Sequence, residues 1–137
     1  MTRLKGARQN GSLFGLSMLS FTYQVKDNME LAFRSLRLQR TLEDQKEIKR
    51  TFGSDSHRKI MQQMSLLNSA ESMQDMFSGI GGWHELEGNR KGQCAGDAGG
   101  GLRIIVKPNP PVPMKPDGGT DWTKVNSVQV VEVRDYH

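Results

Sequence analysis

His84, Arg103 and the closing run Arg134-Asp135-Tyr136-His137 are the residues of this chain whose types suit chemistry on a phosphate. Imidazole titrates at about pH 6.5, so a histidine can move protons at neutral pH. A guanidinium holds a phosphate and offsets charge that develops on it. A tyrosine stacks on a base or hydrogen-bonds through its hydroxyl. Asn89, Arg90 and Lys91 follow His84 closely, in what reads as the adjoining turn. Together these are the parts of a metal-free RNA cleavage in which a 2′-OH attacks the adjacent phosphate. By residue type alone they also fit solvent-facing strand positions and a frayed terminus.

Other chemistries have no carrier. There is no G-x-x-x-x-G-K-[ST] loop, the glycines at 79–82 miss the G-x-G-x-x-G spacing, and His84-Glu85 lacks the second histidine of H-E-x-x-H. No G-x-S-x-G elbow is present. His57, His84 and His137 are too scattered to argue for a metal. The single cysteine, Cys94, excludes a disulfide framework within the chain and a cysteine-based zinc cluster. Neither a cofactor nor a metal is expected.

The elements that must position these side chains can be read from period and punctuation. Leu31 and Phe33 alternate with Glu30, Ala32 and Arg34, the pattern of a short amphipathic strand. Ser35 suits the N-cap of a helix running to about Phe52, with Leu38, Leu42, Ile48 and Phe52 as its apolar stripe and Gly53 as its stop. Ser54 or Asp55 caps a second helix, where Ile60, Met64 and Leu67 recur at helical spacing, and Ser69 is read as a restart that buries Met73, Met76 and Phe77. So short a turn between the helices implies an antiparallel hairpin.

Beyond Phe77 the helical period disappears, and nine of the 23 residues at 79–101 are glycine. Residues 83–87 alternate as a strand, 93–98 form a weaker one and 102–107 a better one. In the last, Leu102, Ile104 and Val106 face one way and Arg103, Ile105 and Lys107 the other. Five prolines at 108–119 exclude a central strand and predict a long loop. Residues 125–133 are the strongest β-branched run. The order β-α-α-β-β-β predicts an α+β fold, with an N-terminal strand and an antiparallel helical hairpin packed on a mainly antiparallel sheet.

Composition sets the broad class. A chain of 137 residues, 35% hydrophobic and 25% charged, with a mean hydropathy of −0.61, fits one folded domain. No apolar run approaches the ~18 residues that cross a bilayer. A reduced, cytoplasmic protein without membrane contact is expected. The net charge of +4 and pI of about 9.4 favour a polyanionic partner, but the excess is uneven. Residues 1–28 carry four basic side chains against Asp27 alone, 29–77 carry eight against seven, and 78–137 carry seven of each. Any nucleic-acid site in the body must therefore be a local cluster. Residues 1–28 are read as an N-terminal extension, flexible or ahead of a true start at Met29; a signal peptide is the lesser alternative, because their apolar run is short and no A-x-A cleavage site follows it. The folded domain is assigned to 29–137.

One segment resembles a known family. Trp83-His84-Glu85-Leu86-Glu87-Gly88-Asn89-Arg90-Lys91-Gly92-Gln93 is similar to the H-x-L-x-G-x-R-x-G segment of HigB-type toxins in the RelE/ParE superfamily. Leu102-Arg103-Ile104-Ile105 is similar to the next family strand with its arginine. The loop from Lys115 to Trp122 resembles one found in a larger-toxin branch, and Asp135-Tyr136-His137 is a hallmark ending of the group. The blocks occur in family order, and the likeness runs over residues 29–137.

The resemblance implies a RelE-like fold and a ribosome-dependent messenger-RNA endonuclease that uses no metal. It also implies a HigA-like antitoxin with a DNA-binding helix-turn-helix. By position, His84 would transfer a proton and Arg103 would stabilise the scissile phosphate. Asp135, Tyr136 and His137 would orient or protonate the reacting groups. Arg90 and Lys91 would touch the RNA backbone, with Lys107 as a further RNA contact. Which group is base and which is acid stays open.

Two features depart from the family. Residues 94–101 are poorer in bulky side chains than its usual central strand, and glycine there is expected to weaken packing. Residues 1–28 have no counterpart. Met61, Met64, Met73 and Met76 read as core, with adaptable antitoxin contact as the alternative. Arg37, Arg40, Lys49, Arg50, Arg58 and Lys59 read as solvated helix faces, a subset of which could grip ribosomal RNA. Two rival functions fit the same scaffold. One is a ParE-like gyrase inhibitor without catalytic residues, and the other is an inactive relative that only binds an antitoxin. His84 and the terminal triplet favour cleavage, because a gyrase binder has no need of them.

Overall fold

The computed structural model describes residues 28–135. The proposed extension, except its last residue, lies outside that range, as do Tyr136 and His137. Five strands form one sheet: β1 (Glu30–Phe33), β2 (His84–Glu85), β3 (Cys94–Asp97), β4 (Leu102–Pro108) and β5 (Ser127–Asp135). Their order is β1-β5-β4-β3-β2, with β1 parallel to β5 and every other neighbouring pair antiparallel. Four helices, α1 (Leu36–Leu42), α2 (Gln45–Phe52), α3 (Ser54–Ser69) and α4 (Met73–Ser78), pack against it. This is the expected α+β architecture.

The expected single helix ending at Phe52 is in fact two. Ser35 caps α1 as predicted, its hydroxyl oxygen accepting the Leu38 N–H at 3.1 Å. Asp44 then takes an extended backbone and accepts the N–H groups of Lys46 and Glu47. An aspartate that satisfies the free donors of a new helix ends the old one at the same point. The break lets both Leu42 and Ile48 reach the core. Gly53, at φ 93 in the left-handed region, is the whole connection between α2 and α3, which pack on each other as the hairpin. Ser69 ends α3 and does not restart it; Ala70 is extended and α4 follows Ser72.

The glycine-rich region is also shorter in strand than expected. Gly88, which opens a 3₁₀ turn at Gly88–Arg90, and Gly92 beyond it, both at positive φ, turn the chain back, so β2 keeps only two residues. In the proline-rich loop, Pro108 closes β4 in register with Val128. The loop then pairs Met114 with Thr120, and the Asp121 N–H donates to Pro113 O at 2.9 Å. It ends by seating Trp122 edge-on against Phe77, ring centroids 5.3 Å apart. The loop thus returns an aromatic side chain to the core.

Ile104, Val106, Val128 and Val130 of the central strands meet Ile48, Ile60, Leu67 and Met73 of the helices in the main core. Each such side chain contributes about 1.5–3 kcal/mol by leaving water. Met73 and Met76 are buried and Met61 and Met64 pack beside them, as core residues. Cys94 is fully buried, and that burial, helped by the Glu85 charge, pushes its thiol far up. A thiol held protonated by the fold contributes fully below the unfolded thiol's pKa of about 8.5, and that contribution is lost as pH rises beyond it. Stability in denaturant melts is therefore expected to decline between about pH 8 and about pH 10, more gently in Cys94→Ala, with a thiol component of up to about 1.4 kcal/mol per pH unit.

Candidate functional site

The sheet face turned away from the helices carries the charges. Residues directly opposite each other in an antiparallel ladder project from one face. Arg103 stands opposite Asp97 on β3 and Arg134 on β5. Ile105 stands opposite Ala95 and Glu132, Lys107 opposite Gln129, and His84 opposite Ala95. Ala95, Ile105 and Val131 form a small cluster separate from the main core. The result is a small buried apolar cluster, with Leu86 packed against it, flanked by His84, Arg103, Lys107, Glu132 and Arg134.

A β-bulge makes this layout possible. The ladder steps from Ile105↔Glu132 to Val106↔Val130, leaving Val131 as an extra residue. Val128 and Val130 face the helices, and strict alternation would send Glu132 and Arg134 into the core after them. The extra residue reverses the phase, and both charges emerge on the open face.

Glu132 is the centre of the charged group. Its Oε2 accepts from Arg90 Nη2 at 2.7 Å, and its Oε1 lies 3.9 Å from Arg134 Nη1. Arg90 also donates from Nε and Nη2 to Gln93 Oε1, at 3.2 and 3.0 Å. The side chains of Arg90 and Glu132 are only 28% and 27% exposed. Arg90 therefore lies at the open face with its guanidinium held by Glu132 and Gln93. Lys91 is well exposed, 3.9 Å from Glu85, and Lys107 is exposed on the open face. Glu85 itself points to the helix side, accepting from Trp122 Nε1 at 2.9 Å and from the Gly92 N–H at 3.2 Å.

His84 is exposed, with Nδ1 3.4 Å from Gly82 O. It stands two strands across and two residues along from Arg103, a Cα separation of ~12 Å at ~4.8 Å per strand and ~3.4 Å per residue. Asp135 does not join them. It pairs with Leu102 and, with Phe52, Gly53, Ser54 and Gly100, lines a hollow of about 540 Å³ on the helix side. The alternation that presents Arg134 on the open face turns Asp135 to the other face. Tyr136 and His137 lie outside the described residues. Among the described residues no group of His, Cys, Asp and Glu could hold a metal, and no helix is long and apolar enough to cross a membrane.

No protein-family model and no curated protein sequence matches the chain. Among solved structures it is similar to a YoeB/ParE toxin from Agrobacterium tumefaciens, 17% identical, covering 80% of this chain and 100% of that one at a TM-score of 0.46. It is also similar to YoeB from Staphylococcus aureus in its complex with YefM, 16% identical, covering 80% of this chain and 97% of that one at a TM-score of 0.45.

Glu132 was not singled out by sequence, because its direction, like that of Arg134, depends on the bulge. A signal did exist: burying both charges side by side would be costly, so the phase had to change after Val130. The buried amide of Gln63, which holds Trp83 beside His84, had no signal at all.

Proposed function

We propose that the chain is the toxin of a type II toxin–antitoxin pair, a HigB-like member of the RelE/ParE superfamily that cleaves messenger RNA on the ribosome. One observation carries this reading: His84 and Arg103, from two separate blocks of the HigB-like motif, face one open sheet surface. The 2′-OH of a nucleotide attacks its own 3′ phosphate, the bond to the next O5′ breaks, and a 2′,3′-cyclic phosphate and a 5′-OH result. One proton leaves the attacking oxygen and one reaches the leaving oxygen. His84 is one of the two carriers, and the terminal Tyr136 and His137 supply the other. Arg103 donates to the non-bridging oxygens as their charge grows, so the step asks for no cation. Lys91 and Lys107 hold flanking backbone phosphates, with Arg90 braced by Glu132 beside them. Asp135 is assigned an orienting role from the helix side. The partners are messenger RNA, the ribosome and a HigA-like helix-turn-helix antitoxin, in the cytoplasm.

Induced expression without an antitoxin is expected to arrest growth by stopping translation, with messages cut and chromosomal DNA unbroken. DNA breaks with intact messages would replace this reading with the gyrase-directed one.

A further inference from the structure

The segment leading into His84 has little of its own to hold it. Between Ser78 and Trp83 the chain reads Gly79-Ile80-Gly81-Gly82, and Ile80 is 86% exposed. β2 is a two-residue edge strand with a neighbour on one side only. What fixes it comes from behind the sheet. Gln63 on α3 is 1% exposed. Its Nε2 donates to the carbonyl oxygens of Gly81 and Asp97 at 2.7 Å each, and its Oε1 accepts the Trp83 Nε1–H at 3.0 Å. An indole N–H only donates and a carbonyl only accepts, so one orientation of the amide serves all three bonds. Trp83 lies against Gly96, where a Cβ would come within 2.2 Å of the indole. A Cβ on Gly81 would come within 2.5 Å of Gln63 Oε1. Both glycines leave room for the contact, and the Asp97 N–H closes it on Gly81 O at 3.2 Å.

We propose that Gln63 is a positioning residue for His84. Through Trp83 and Gly81 it ties the strand entering the site to α3, and so sets the height and angle of the imidazole over the open face. The proposal rests on the cleavage reading for its kinetic consequence and on geometry alone for its spectroscopic one.

Two variants of the full chain test it, with Gln62→Leu on the exposed neighbouring position as control. Trp83→Phe keeps a ring over Gly96 and removes one hydrogen bond, whereas Gln63→Leu removes all three. Each is expected to lower kcat on programmed ribosomes by about tenfold to a hundredfold with KM little changed, because a misplacement of about 1 Å has that effect. The His84 imidazole resonances should shift and broaden in NMR spectra of both variants and stay unchanged in the control. Combining the two should cost less than the product of the separate losses, since they share one bond. Folded variants with the wild-type His84 spectrum and wild-type kcat would overturn the proposal. If Gln63→Leu fails to fold, Trp83→Phe decides alone. If the wild-type protein does not cleave, the functional reading falls, and the NMR comparison still decides whether Gln63 positions His84.

Discussion

Arg103→Ala is expected to reduce messenger-RNA cleavage by about 10²–10³-fold, the loss that follows removal of one preorganised charge partner of a transition state. Arg103 sits on the central strand of the sheet, one residue from the start of β4, in register with Arg134 on β5, and stands ~12 Å from His84 by strand geometry. His84→Ala should lose about 10²–10⁴-fold, the range for a positioned acid or base. Both side chains project from the sheet face that the helices leave uncovered, so both variants should fold and still bind the antitoxin. Single-turnover cleavage on programmed ribosomes, with antitoxin pull-down as the folding control, measures the two effects together. Undiminished cleavage by either folded variant would remove that residue from the site.

Gly96→Ala is expected to lower the melting temperature by about 4–12 °C, and by up to about twice that where the indole is displaced. The added Cβ would lie 2.2 Å from Trp83, whose ring has no other place to go while its N–H stays on Gln63. Overpacking of this kind costs about 1–3 kcal/mol. If the indole moves instead, the buried Gln63 oxygen loses its donor, at about 1–3 kcal/mol more. For a domain of this size each kcal/mol corresponds to about 4 °C. A thermal melt followed by tryptophan fluorescence reads the effect directly. A melt at the wild-type temperature would mean that the indole is not seated on Gly96.

Gly96 also shows where sequence reading reached its limit. From composition, glycine in residues 94–101 reads as a weak strand. In the structure the missing side chain at 96 is the space that Trp83 fills, so the weakness is a fit between two residues 13 positions apart. Nothing local in the sequence shows such a partner. The sheet itself was legible because the apolar residues that alternate along β1 and β4, Leu31 and Phe33 and then Leu102, Ile104 and Val106, are the ones that pack into the main core, and Ser35 and Gly53 marked helix ends by their own chemistry. Asp44 was legible in principle, since an aspartate inside a helical run is a cap waiting for a break. Reading Leu38, Leu42, Ile48 and Phe52 as one apolar stripe concealed it. The side chains of the site divided in the same way. His84, Arg103 and Lys107 took their faces from simple alternation. Glu132, Arg134 and Asp135 took theirs from a bulge, a one-residue change of register set by the pairing of β5 with β4.

The most direct test of the proposed function is the chemistry of the cut ends. Ribosomes carrying a defined message are incubated with the wild-type protein and, in parallel, with the folded His84→Ala variant, and the RNA termini are mapped by their reactivity to phosphatase and kinase. The account predicts a 2′,3′-cyclic phosphate or its 3′-phosphate product on one fragment and a 5′-OH on the other, with both lost in His84→Ala. Uncut message with the wild-type protein, or fragments ending in a 3′-OH and a 5′-phosphate, would contradict it.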